Sequence, residues 1–156
     1  MNTSPGVAAA KWFPLLEHST QEVFEIMLGS KLEPATPEPV TGVEFTAMVG
    51  LAGSLCGVLT VRCGQQSANL IASTMLNLPP AQASEHAWDA LGEVANMVAG
   101  NFKNKIDGVS DKCLLSVPTV ITGAGYSFHA LADAAPLELW FRFQGGLLQV
   151  TLEIQD

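Results

Sequence analysis

The stretch Phe45-Thr46-Ala47-Met48-Val49-Gly50-Leu51-Ala52-Gly53-Ser54-Leu55-Cys56-Gly57-Val58-Leu59-Thr60-Val61 contains no charged residue. Its length approaches the lower limit of about 17 residues for a membrane span. Gly50, Gly53, Ser54 and Gly57 interrupt it in the middle. Two strands, 43–51 and 55–62, joined at Ala52-Gly53-Ser54, explain the stretch better than a lipid-facing helix. The chain is therefore expected to fold around a sheet, without a membrane segment.

The neighbouring segments extend this pattern. Gly64 ends the second strand, and 65–76 reads as a helix that stops before Pro79-Pro80. Upstream, Leu15, Leu16, Val23, Phe24 and Met27 form one apolar stripe, with Pro14 in the first turn and Gly29 as C-cap. Glu33-Pro34-Ala35-Thr36-Pro37-Glu38-Pro39 is a connector. Ser84 is a suitable N-cap for a longer helix over 85–106. Strand-like runs follow at 119–122 and 126–131. Residues 137–143 and 147–154 read as a closing hairpin around Gln144-Gly145-Gly146. The expected class is α+β: a largely antiparallel sheet of about six strands with long helices packed on it. Residues 1–11 are expected to be a loose leader and 12–156 one domain. Residues 22–29, EVFEIMLG, align with 93–100, EVANMVAG. A duplicated helix-plus-strands unit would produce this, and so would two helices with similar apolar faces.

Composition narrows the function. Of 156 residues, 48% are apolar and 14% charged, which excludes a charge-rich disordered chain. The net charge of −8 repels phosphate backbones and anionic lipid, so neither nucleic acid nor a membrane surface is an expected partner. It suits a partner with a basic or metal-bearing face, although an acidic surface also serves solubility alone. Cys56, Cys63 and Cys113 are odd in number and form no CxxC pair, which points away from a disulfide framework and towards the cytoplasm. MNTSPGVAAAKW does not read as a signal peptide. His18, His86 and His129 form no metal-ligand spacing. There is no phosphate loop, and Gly123-Ala124-Gly125 reads as a turn. Gly53-Ser54 is not a nucleophile elbow, and Cys56 and Cys63 read as small apolar residues.

What remains is the helix over 85–106. At roughly 100° per residue, Ala87, Leu91, Val94, Val98 and Phe102 form a core stripe. Asp89, Glu93, Asn96 and Gly100 fall opposite, within an arc of about 60°. A solvated helix face also carries polar residues. Yet Asn and Gly are poor helix formers, and Gly100 would let another backbone come close. Glu93 and Asn96, three residues apart, project side by side. An amide can orient a water, and a carboxylate can act as base or anchor a partner's lysine. Such a pair is sufficient where the bond is already labile, as in phosphoryl transfer.

The run Asp89-Ala90-Leu91-Gly92-Glu93-Val94-Ala95-Asn96-Met97-Val98-Ala99-Gly100-Asn101 resembles the signature helix of the CheC/CheX/FliY chemotaxis phosphatase family. That signature is Asp or Ser, three residues, Glu, two residues, Asn. The first helix carries His18, Glu22 and Glu25 at the matching positions, so one active helix is implied, as in CheX-like members. The resemblance implies a phosphatase for the aspartyl phosphate of a CheY-type response-regulator receiver, and a homodimer. It implies no cofactor of the protein's own, because magnesium comes with the receiver. Glu93 would pair with the receiver's lysine and Asn96 would orient the attacking water. Asp89, Gly100 and Met97 would be partner contacts. Lys103 and Lys105 are expected to be solvated and to favour the helix dipole. The alternative is a CheX-like docking module without catalysis. Strands 43–62 and 147–154 are the expected source of an edge for a second copy.

Overall fold

The computed structural model describes residues 5–39, 42–106, 108, 110–125 and 135–155, with backbone alone at 5–10 and 110. The first helix, α1, is Pro5–Leu28. It begins inside the segment expected to be a loose leader, and Pro14 lies in its interior instead of its first turn. The cause is local. Pro5 takes the first helical position, where a missing N–H costs nothing, and three alanines that favour helix follow. Pro14 removes one helical hydrogen bond, a loss of about 3 kcal/mol in an isolated helix. Burial of Leu16, Val23, Phe24 and Leu28 on the same helix offsets it. Gly29, with φ +60°, closes the helix as expected, its N–H donating to the Glu25 carbonyl at 3.0 Å.

The strands are β1 Glu33–Pro34, β2 Glu44–Gly53, β3 Cys56–Gly64, β4 Cys113–Leu115, β5 Thr119–Gly123, β6 Leu137–Phe143 and β7 Gly146–Gln155. Among the described residues every pairing is antiparallel. The order is β1-β6-β7-β3-β2, and β4 and β5 lie end to end along the outer edge of β2. This order reads the same from both ends. The β2–β3 and β6–β7 hairpins meet at the β3–β7 pair, and each half's short leading strand covers the other half's hairpin. A duplicated unit would be built this way.

The 43–62 and 147–154 segments are therefore interior and leave no edge: β7 lies between β6 and β3, and β2 is covered by β4 and β5. The connector supplies β1, whose Glu33 and Pro34 face Arg142 and Phe141. The 126–131 strand lies outside the described residues. The closing hairpin turns through Gln144 and Gly145, both at positive φ (45° and 87°), the two-residue geometry that matches strand twist.

Helices α1, α2 (Gln65–Leu76) and α4 (Ala87–Asn104) cover one face of the sheet. A short helix, α3 (Pro80–Ala83), links the last two. Phe45, Ala47, Val49 and Leu51 of β2 alternate inward with Leu59 and Val61 of β3 and Leu148, Val150 and Leu152 of β7. Phe24 of α1 packs edge-on against Phe143 of β6, with centroids 5.3 Å apart. On the opposite face, the Arg62 guanidinium donates to Glu44 Oε2 at 2.6 Å and to Gln149 Oε1 at 3.1 Å.

Candidate functional site

Helix α4 presents the site. It begins two residues later than expected, because Ser84–His86 form a 3-10 turn ahead of it. Ser84 does not cap it: its hydroxyl donates back to the Ala81 carbonyl at 3.2 Å. The expected core stripe is buried in full at Ala87, Leu91, Val94, Val98 and Phe102. Gly92 brings the helix close to the sheet edge. A Cβ there would stand 3.3 Å from Val120 Cγ2 and 3.4 Å from Pro118 Cβ.

Asp89 and Glu93 are exposed, while Asn96 and Gly100 are half-buried. Asp89 lies in the first turn, where a negative charge favours the helix dipole. Glu93 and Asn96 make no hydrogen bond or ion pair with a described residue. Gly100 is less open than the sequence suggests, since a Cβ there would lie 3.8 Å from Leu115 Cδ1. The segment 115–120 runs past Gly100 and Gly92 and walls one flank of the polar line. Met97, half-buried, packs against the core and lines a groove on the other flank.

Lys103 and Lys105 differ from expectation. Lys103 Nζ donates to the Cys113 carbonyl at 2.8 Å, tying α4 to β4. Lys105 Nζ donates to Glu22 Oε2 at 2.8 Å, tying α4 to α1. Neither is a solvated lysine. Both contacts cross from α4 to another element, ten residues on for Lys103 and 83 residues back for Lys105, and spacing along one helix carries no signal for them. The Leu115–Pro118 flank and the α1 side of the groove escaped the sequence for the same reason.

A cavity of about 410 Å³ lies elsewhere, at the β3–α2 junction, lined by Arg62, Arg142 and Gln149 among others. Neither Glu93 nor Asn96 lines it. Among the described residues no three His, Cys, Asp or Glu side chains group as metal ligands, and no helix is long and apolar enough to cross a membrane.

The fold and the site together define an α+β domain with its helices on one face of an open antiparallel sheet. It presents a carboxylate and an amide outward from one helix. By sequence, the chain belongs to the family Chemotaxis phosphatase CheX, whose profile matches residues 45–142. It is 26% identical over 110 residues to the CheY-P phosphatase CheX of Thermotoga maritima, covering 67% of this chain and 71% of that protein. The chemotaxis protein CheX of Desulfovibrio desulfuricans has the same fold, with a TM-score of 0.74 at 22% identity over 93% of this chain and 99% of that one. So does the structure of the CheX-CheY-BeF3-Mg complex of Borrelia burgdorferi, with a TM-score of 0.68 at 21% identity over 93% and 98%.

Proposed function

We propose that the protein is a phosphatase for the aspartyl phosphate of a CheY-type receiver domain. One observation carries the reading. Glu93 and Asn96 sit one turn apart on an ordered helix, facing outward, with no partner among the described residues. Family membership agrees, as do the CheY-P phosphatase CheX of Thermotoga maritima among its relatives and a fold neighbour solved in complex with CheY.

The helix enters the receiver's phosphorylation site. Glu93 pairs with a receiver lysine and fixes the register of docking. Asn96 accepts and donates hydrogen bonds to a water and holds it in line with the phosphorus. The water's oxygen forms the new P–O bond, the acyl-phosphate bond breaks, and the receiver aspartate leaves as carboxylate. Magnesium, which neutralises the phosphoryl oxygens, comes with the receiver. Asp89 and Met97 are partner contacts. Gly100 keeps the C-terminal end of the line free of side chain.

The reading includes a cytoplasmic location and a homodimer. The outer edge of β4 and β5, where Leu114, Val117 and Ile121 are exposed, is the edge proposed for a second copy. A monomer by sedimentation at micromolar concentration removes the dimer.

The test of the function is phosphate loss from a magnesium-bound, phosphorylated CheY-type receiver. Wild type should accelerate it. Asn96→Ala should abolish the acceleration while folding and docking persist. Equal rates for the two proteins would remove Asn96 from the chemistry. No acceleration by either, across several receivers, would leave a docking module.

A further inference from the structure

A groove of about 290 Å³ runs between α1 and α4, lined by Val23, Ile26 and Met27 on one side and Met97, Asn101 and Asn104 on the other. None of the lining residues is charged. Ile26 is 70% exposed and Met27 48% exposed, large apolar side chains on the surface of an acidic chain. Met97 follows Asn96 directly and lies four residues, about one turn, beyond Glu93. The groove and the acid–amide line therefore share an edge.

We propose that this groove is the apolar half of the receiver-docking surface, and that Ile26 and Met27 of α1 set receiver affinity. The proposal rests on the phosphatase reading and deepens it. An exposed ion pair such as the one proposed for Glu93 steers and orients a partner but supplies only part of the affinity of a docking surface in water. Binding energy at an interface is concentrated in apolar anchors within a polar rim. Here the rim is the line Asp89–Glu93–Asn96, and Ile26, Met27 and Met97 are the anchors. Methionine adapts its shape to the side chain that it receives. The matching feature on the receiver is an uncharged apolar side chain beside its phosphorylated pocket.

A second copy of this chain is a poorer occupant. A macromolecule that buries Met27 and Met97 also covers Asn96, so a copy seated here would close the site to its substrate. α1, which lacks the aligned asparagine, thus acts in substrate selection beside the helix that carries the chemistry.

The test is steady-state hydrolysis of the phosphorylated receiver by the Ile26→Asn/Met27→Gln double variant, which changes polarity at exposed positions and adds no charge. KM should rise about tenfold, or about 1.4 kcal/mol, with kcat within about twofold of wild type. Met27→Leu should keep the wild-type KM, and Ile26→Asn alone should show part of the rise. The effect should persist at high salt, because no charge pair is removed. Unchanged KM in the double variant, with wild type active, overturns the groove's role and leaves the phosphatase reading intact. Absence of hydrolysis by wild type overturns both. A double variant that becomes monomeric with unchanged KM overturns the proposal in favour of a second copy.

Discussion

The Lys105 ammonium lies 2.8 Å from Glu22 Oε2, and Glu22 is the residue of α1 that aligns with Glu93 of α4. The same carboxylate oxygen is 3.2 Å from His18 Nε2. One of two aligned glutamates is thus held by partners within the chain, while the other faces outward without a described partner. The Lys105 hydrogen bond holds the Glu22 carboxyl below its ordinary pKa. A depressed folded-state pKa contributes stability above the ordinary value, and that contribution is lost as pH falls through the folded value. Glu22→Gln should therefore be less stable than wild type near neutral pH. The difference should shrink as pH falls below the ordinary carboxylate range. Urea unfolding at neutral and strongly acidic pH measures it, and a difference independent of pH would sever the link to ionisation.

Glu93 should behave differently. It has no partner among the described residues, so Glu93→Gln should leave the unfolding free energy within about 0.5 kcal/mol of wild type. Its effect should fall on the receiver. KM should rise by up to about fivefold as the proposed lysine contact is lost, the range of an exposed ion pair, and kcat should fall as well. Raising salt should weaken the wild type towards the variant. Titration of a phosphorylated receiver with both proteins checks this, and equal affinities would remove the anchor role.

The two glycines of α4 separate packing from docking. Ala at an exposed helix position is favoured over Gly by roughly 0.5–1 kcal/mol. At Gly100 the new Cβ would make ordinary contact with Leu115 Cδ1 at 3.8 Å, so Gly100→Ala should stabilise the fold by about that amount. At Gly92 it would press on Val120 and Pro118 at 3.3 and 3.4 Å, so Gly92→Ala should forfeit the gain. Gly100→Ala should also raise KM for the receiver, because the proposed close approach occurs there. A more stable variant with unchanged KM would leave Gly100 as a packing residue only.

These contrasts mark what could be read from the sequence. The long strands, the α2 helix, the closing turn and the buried stripe of α4 follow from periodicity and turn chemistry, which are local. The two-residue β1 and three-residue β4 do not, because such short strands exist only through the hairpin edges they cover. The start of α1 differs from the Pro14 signal because Pro5 and the alanines after it begin the helix earlier, and burial of its apolar residues offsets the interior proline. The acid–amide line was visible on a helical wheel. Its flanks were not: Leu115, Pro118, Ile26 and Met27 reach it through the fold.

The thiols offer a check on burial that does not depend on function. Cys63 points into the core from β3, and burial, reinforced by the nearby Glu44 carboxylate, pushes its thiol up to about 12. Only the thiolate is a strong nucleophile, so Cys63 should be inert both chemically and by access. Cys56, at the exposed start of the same strand, is accessible, its sulfur lying 3.3 Å from the Gly53 carbonyl. Cys113 is buried beside the Leu55 carbonyl. A maleimide or iodoacetamide at pH 8 should therefore modify Cys56 in the folded protein while Cys63 and Cys113 react only in denaturant. Peptide mass mapping of the native and urea-treated protein distinguishes the cases. Rapid native labelling at Cys63 would contradict the inward face assigned to β3, and with it the packing that supports α4.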